Sequence, residues 1–210
     1  MTLAFRGFRP AALSFLRGLK RNNRREWFEE RRETYVRELI EPMHALIDEL
    51  DVRFAALAPE YEANPRHSLF RIYRDVRFSK DKSPYKAHAA LWIYHRAPGR
   101  GVGKEIDGGA GFYVHLEPGA SLVAGGLWMP PRPSLAKVRS YFEEDLQGWE
   151  RAVTPRTFTR RFGRLTDDEP GILLKRLPRG FAEGHPAERW LRYNSFTVHR
   201  AYTDAQMLSP

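Results

Sequence analysis

The chain has 210 residues, 42% hydrophobic and 13% aromatic, with a formal charge of +9, a pI near 10.0 and no cysteine. A chain this long buries roughly 70% of its unfolded surface, so its core needs no staple; without thiols, disulfides, thiolate metal sites and a cysteine nucleophile are excluded, which suits a reducing compartment. No apolar run reaches the ~18 residues of a membrane span, and Arg6, Arg9 and Arg17 break up a signal-peptide core, so a cytoplasmic protein without a membrane partner is expected.

Pro10 sits well at the first turn of a helix that Leu13, Leu16 and Leu19 continue. Asn23 then has capping-box spacing to Glu26, and predicts the start of the next helix. From Trp27 to Leu57 apolar residues recur at steps of three and four, which predicts one long helix, or two if Pro42 ends the first. In the middle the period changes. "AHAALWIY" alternates with period two, and "GFYVHLEPGASLVAGGLWM" reads as a hairpin of Phe112–Leu116 and Ser121–Trp128 turning at Pro118-Gly119. Helical spacing returns from Ser134, then over Phe158 and Phe162 up to a C-capping Gly163, and again in "HPAERWLRY". Phe196–Arg200 predicts a last strand. The expectation is a single α+β domain over residues 1–210, with N-terminal helices, a central antiparallel sheet and C-terminal helices.

The positive charge is concentrated. Residues 17–32, 71–86 and 151–164 carry local charges of +4, +4 and +5, so the rest of the chain is net acidic. The segment "RIYRDVRFSKDKSPYK" is the densest mixture, with Arg71, Arg74, Arg77, Lys80, Lys82 and Lys86 set around Asp75 and Asp81. Extended or helical, it keeps an aspartate within reach of two arginines. Guanidinium forks bind phosphate or carboxylate bidentately, and a fixed aspartate can orient them. The ligand-binding candidates are therefore Arg71, Arg74, Asp75, Arg77, Lys80, Asp81, Lys82, Tyr85 and Lys86. A structural ion-pair network covering a sheet edge is the competing account.

The pattern Arg71-x-x-Arg74-Asp75-x-Arg77-Phe78-x-x-Asp81-Lys82-x-x-Tyr85 resembles the signature of a widespread, mostly bacterial domain-of-unknown-function family. "NNRREWFEERRETY", "GFYVHLEPGASLVAGGLWMP" and "LPRGFAEGHPAERWL" are similar to further stretches of that family. The resemblance runs over most of the chain and implies one domain of about this length, with more sequence after "FTVHRAYTDAQM". It implies no reaction and no catalytic residue.

His115 and Glu117 are two apart in a predicted strand and share a face, with His88 expected on a neighbouring strand. Imidazole plus carboxylate can ligate a metal or act as an acid–base pair, but no HExxH or other close histidine spacing is present. A hydrogen-bonded sheet histidine is expected, with no metal and no cofactor. "APGRGVGKEIDGGAG" fails as a phosphate loop: Pro98 stands where its first glycine belongs and Glu105 where its hydroxyl residue belongs. "RGFAE" lacks the aromatic of an RNA-recognition signature, and there is no serine nucleophile elbow.

Three readings remain. The first is a binding module for nucleic acid or another phosphate-bearing ligand, with Phe70, Tyr73, Phe78 and Tyr85 available for base stacking. The second is an enzyme acting on a phosphorylated or other small anionic substrate, with Asp75, His115 or Lys82 moving protons. The third is an interaction domain for acidic proteins.

Overall fold

The computed structural model describes residues 5–77, 80–97 and 109–209. Phe78 and most of the glycine-rich stretch, residues 98–108, lie outside them. The fold is α+β. Its sheet is antiparallel, with strands in the order β1 (Tyr61–Glu62), β2 (Ala89–His95), β3 (Gly111–Leu116), β4 (Ser121–Leu127) and β5 (Phe196–Tyr202). The described residues divide into two compact units: those within 5–93, 112–123 and 201–209 form one, and those within 94–97, 109–111 and 124–200 the other. Among the described residues no helix is long and apolar enough to cross a membrane.

The first unit is built on α1 (Pro10–Arg21), whose Ala12, Leu13, Phe15, Leu16 and Leu19 are all buried at helical spacing. Burial of side chains of this kind stabilises by about 1.5–3 kcal/mol each. The region expected as one or two long helices is instead α2 (Arg25–Glu29), α3 (Arg32–Tyr35), a π-helical turn over Val36–Ile40, and α4 (Glu41–Leu57). The first break is at Arg31 (φ −117°, ψ 16°). The π turn directly precedes Pro42, and the Glu41 N–H reaches back five residues to Val36. Proline lacks an N–H and its ring crowds the carbonyl four residues earlier; a wider turn relieves that conflict without ending the helix.

Asn23 does not cap α2, whose N-cap is Arg24 with no side-chain cap bond. The Asn23 amide is engaged elsewhere: its Nδ2 donates to the Tyr85 carbonyl at 2.9 Å and its Oδ1 accepts the Tyr85 N–H at 3.0 Å. The Tyr85 ring, 2% exposed, stacks on Phe28 with centroids 4.3 Å apart. Two features distant in sequence are thus joined at one backbone position.

β3 and β4 turn at Gly119, where φ is +75° as the predicted type II turn requires. The short α8 (Asp204–Met207), absent from the sequence expectation, carries the reciprocal Thr203/Gln206 capping box. Its Asp204 accepts the Gly119 N–H at 2.7 Å and pairs with Arg17. β2 is buried along Ala90–Tyr94 without alternation, because both of its faces are covered.

The second unit has α5 (Arg132–Val153), α6 (Arg156–Phe162) and α7 (Glu188–Leu191) around a core of Leu135, Phe142, Ile172, Trp190, Leu191 and Phe196. At Gly126 (φ +127°) an added Cβ would lie 2.1 Å from the Phe196 carbonyl oxygen, so close approach of β5 requires glycine there.

Asn23→Ala strands a buried N–H and a buried carbonyl on Tyr85, at about 1–3 kcal/mol apiece. Urea unfolding should show a loss of about 2–6 kcal/mol. Asn22→Ala, which removes a bond to a Gly18 carbonyl that the Asn22 N–H also satisfies, should cost under ~1 kcal/mol. Equal losses for the two variants would refute the clamp.

Candidate functional site

Residues 68–74 run antiparallel to residues 84–92. The Phe70 N–H donates to Ala90 and the Trp92 N–H to Ser68, at 3.0 and 2.9 Å; the Lys86 N–H donates to Ile72 and the Arg74 N–H to Pro84, at 2.8 and 2.9 Å. Tyr73 and Tyr85 form a bridge pair. The charged segment therefore closes a hairpin whose Ile72 and Tyr85 are core residues.

The tip holds itself with its own charges. Arg77 binds Asp75 in a fork, Nη2 to Oδ2 at 2.7 Å and Nε to Oδ1 at 3.0 Å, and these bonds hold the Asp75 carboxyl down at about 2. Arg74 pairs with Asp81 at 2.8 Å. The Ser83 N–H donates to Asp81, which is the first cause of that carboxyl's lowered pKa. Lys82 Nζ donates to the Val76 carbonyl at 2.9 Å. For Asp75, Arg77, Asp81 and Lys82 the structural network is what the geometry displays. Lys80 is exposed at the same tip. Tyr85 fixes the hairpin from inside the core and offers no ring face to solvent.

A different arrangement lies at the base. Arg71 is exposed and has no ion pair among the described residues. The Nε of Arg74 is buried without an acceptor. Lys86 is half-buried with its ammonium 5.6 Å over the Phe70 ring and has no carboxylate on it. Burial lowers the Lys86 pKa, and the Arg71 and Arg74 charges lower it further.

The Phe70 ring meets the Tyr113 ring, centroids 6.1 Å apart, which brings the hairpin to β3. Tyr113, His115 and Glu117 share a face of that strand and its continuation, as period two dictates. The Tyr113 hydroxyl lies 2.9 Å from His115 Nδ1, His115 Nε2 lies 3.1 Å from Glu117 Oε2, and Lys20 of α1 reaches Glu117 at 3.2 Å. Burial pushes the Tyr113 hydroxyl up to about 12, so it stays neutral. Burial also pushes the Glu117 carboxyl up, but hydrogen bonds from His115 and Lys20 outweigh it and leave it below the ordinary range. His88 stacks against His115, ring centroids 4.3 Å apart. Burial, His115, Lys86 and Arg74 hold the His88 imidazole down at about 4. Of the acid–base candidates, His115 lies in this group; Asp75 and Lys82 make no bond to it.

A concavity belongs to the other unit. Its volume is about 520 Å³, and Arg164, Asp167, Leu173, Leu174, Glu188, Arg189, Arg192 and Tyr193 line it. Arg164 is paired with Asp167 at 3.0 Å, Arg192 donates to the Lys175 carbonyl at 2.7 Å, and Arg189 lies 4.5 Å over Trp190. Only Arg164 belongs to a charge cluster visible in the sequence; Glu188, Arg189, Arg192 and Tyr193 come from the stretch "HPAERWLRY", read there for helical spacing alone.

The family model described as "Conserved hypothetical protein (DUF2461)" matches residues 11–210, and the chain belongs to that family. No curated protein and no solved structure matches it.

Because His88 is held below its ordinary 6.5 when folded, the unfolded chain binds a proton that the folded chain does not. Stability in metal-free buffer should therefore fall as pH drops from about 6.5 towards about 4, by roughly 1–2 kcal/mol after allowance for solvent screening. Urea midpoints across that range should show a shallower slope in His88→Asn. An unaltered slope would contradict this assignment.

Proposed function

We propose that the protein binds a phosphate-bearing anion through Arg71, Arg74 and Lys86. The observation that carries this reading is the half-buried Lys86, which feels the positive charges of Arg71 and Arg74 and has no ion pair among the described residues. Like charges ~8 Å apart oppose each other by about 2 kcal/mol at an effective dielectric of ~20. An anion reverses that sign, and the fork of Arg71 and the unpartnered Nε of Arg74 suit phosphate oxygens.

A compact ligand fits better than a polynucleotide track. Of the aromatics described for the hairpin, Tyr85 is core, Phe70 lies under Lys86, and Tyr73 alone is well exposed, at 46%. A stacking platform needs several accessible rings. Two of the tip cations, Arg77 and Lys82, also have internal acceptors. A second reading, an enzyme acting on a small anionic substrate, is favoured by one observation: Lys86 and Arg74 act electrostatically on His88, which stacks on the Glu117-bonded His115. A proton-handling pair then lies beside the anion site.

Calorimetric titration with pyrophosphate at ~50 mM salt tests the binding, since electrostatic attraction is strongest at low ionic strength. Arg71→Ala and Lys86→Met should each weaken binding about tenfold or more, ~1.4 kcal/mol, whereas Arg77→Ala should leave it within about twofold. An Arg77→Ala loss as large as the others, or no heat with the wild type, would defeat the proposal. Tighter binding of a single-stranded oligonucleotide than of pyrophosphate would transfer the site to nucleic acid.

A further inference from the structure

We propose that His88, His115 and Glu117 form a site for a divalent transition-metal ion of the class that accepts imidazole and carboxylate together. The site stands on its own three donors and does not rest on the anion reading. Sequence reasoning leads to no metal, because these residues follow no close spacing along the chain; the sheet assembles them.

One ligand atom from each of the three lies within 4.8 Å of the others. Ligands about 2.0–2.2 Å from a tetrahedral zinc ion are roughly 3.3–3.6 Å apart, so closing the site requires side-chain adjustment of about 1 Å. All three residues are half-buried. β2 and β3 are neighbours in the sheet, and His88 directly precedes β2 while Glu117 directly follows β3.

His88 is the informative member. It has no hydrogen bond to either ring nitrogen among the described residues, yet it packs on a second imidazole. Here the lone pair needed by a metal is uncommitted.

His115 has the complementary arrangement, a ligand-ready Nε2 facing Glu117 and an Nδ1 fixed by Tyr113. The metal-free distances suit the tautomer that donates from Nε2 to Glu117 and accepts the Tyr113 hydroxyl proton at Nδ1. With metal, the imidazole takes its other tautomer: the proton moves to Nδ1, the Tyr113 oxygen accepts it, and Nε2 gives its lone pair to the ion. Protons balance, because a hydroxyl serves as donor or acceptor. An outer hydrogen-bond partner on a ligating histidine is the usual means of fixing ring and tautomer.

The surrounding charges set the strength. Glu117 supplies one negative charge, while Lys20, Lys86 and Arg74 oppose a dication. Three protein ligands with an open position is the pattern of zinc sites that act on a bound molecule, as opposed to closed four-ligand structural sites.

Titration of chelator-stripped protein with Co²⁺ tests the proposal directly. The expected result is a visible absorption band saturating at one equivalent and displaced by Zn²⁺. His88→Ala should abolish it, Glu117→Gln should weaken it at least tenfold, and Tyr113→Phe should weaken it about 10–100-fold; His67→Ala and His199→Ala should leave it unchanged. Near-UV circular dichroism checks each fold, and His88→Gln replaces His88→Ala if that variant unfolds. No saturable one-equivalent band in the wild type, or a band that survives loss of the His88 imidazole, would overturn the site.

Discussion

The Asn23–Tyr85 clamp, with Phe28 stacked on the Tyr85 ring, is the constraint on which the charged hairpin depends. A charged hairpin tip, with six charged residues from Arg74 to Lys82, has little reason to hold one position, because exposed ion pairs contribute little. One buried aromatic ring and a two-way amide bond supply what the charges do not. They tie the hairpin's return strand to the N-terminal helices at one backbone position. Arg74 and Lys86 flank it across the ladder and inherit its precision.

This divides the motif by function. At the tip, Asp75 and Arg77, Asp81 and Arg74, and Lys82 and Val76 satisfy one another. At the base, Arg71, Lys86 and one nitrogen of Arg74 are left in surplus. Ion pairs and hydrogen bonds brace Asp75, Arg77, Asp81 and Lys82, and beside them lies a basic surface on which Arg71 and Lys86 have no ion pair among the described residues. The His115–Glu117 pair adjoins that surface, with Tyr113 and Lys20 holding its two ends.

What was legible in the sequence was whatever local spacing dictates. The α1 stripe, the β3–β4 hairpin with its Pro118-Gly119 turn, α6 ending at Gly163 and the last strand all follow from residues within a dozen positions of one another. So does the shared face of His115 and Glu117. What escaped depended on partners far along the chain. Asn23 looks like a helix cap because Glu26 is nearby, but its partner is 62 residues away. The alternation in "AHAALWIY" suggests one wet face, and packing on both sides removed it. His88 joined His115 only through strand pairing, and the concavity lined by Arg189 and Arg192 brings together three separate stretches, around residues 164–167, 173–174 and 188–193. The π turn before Pro42 is intermediate: a disturbance was readable at proline, its form was not.

The outermost strands bear on how a binding partner can approach. On one side the sheet ends in β1, two residues long. On the other, the Thr197 carbonyl of β5 already accepts the Thr166 N–H, and His199 and Arg200 project into solvent. Among the described residues, the two-residue β1 and the β5 carbonyl already occupied by Thr166 leave little of those two strands for an incoming extended segment to pair with.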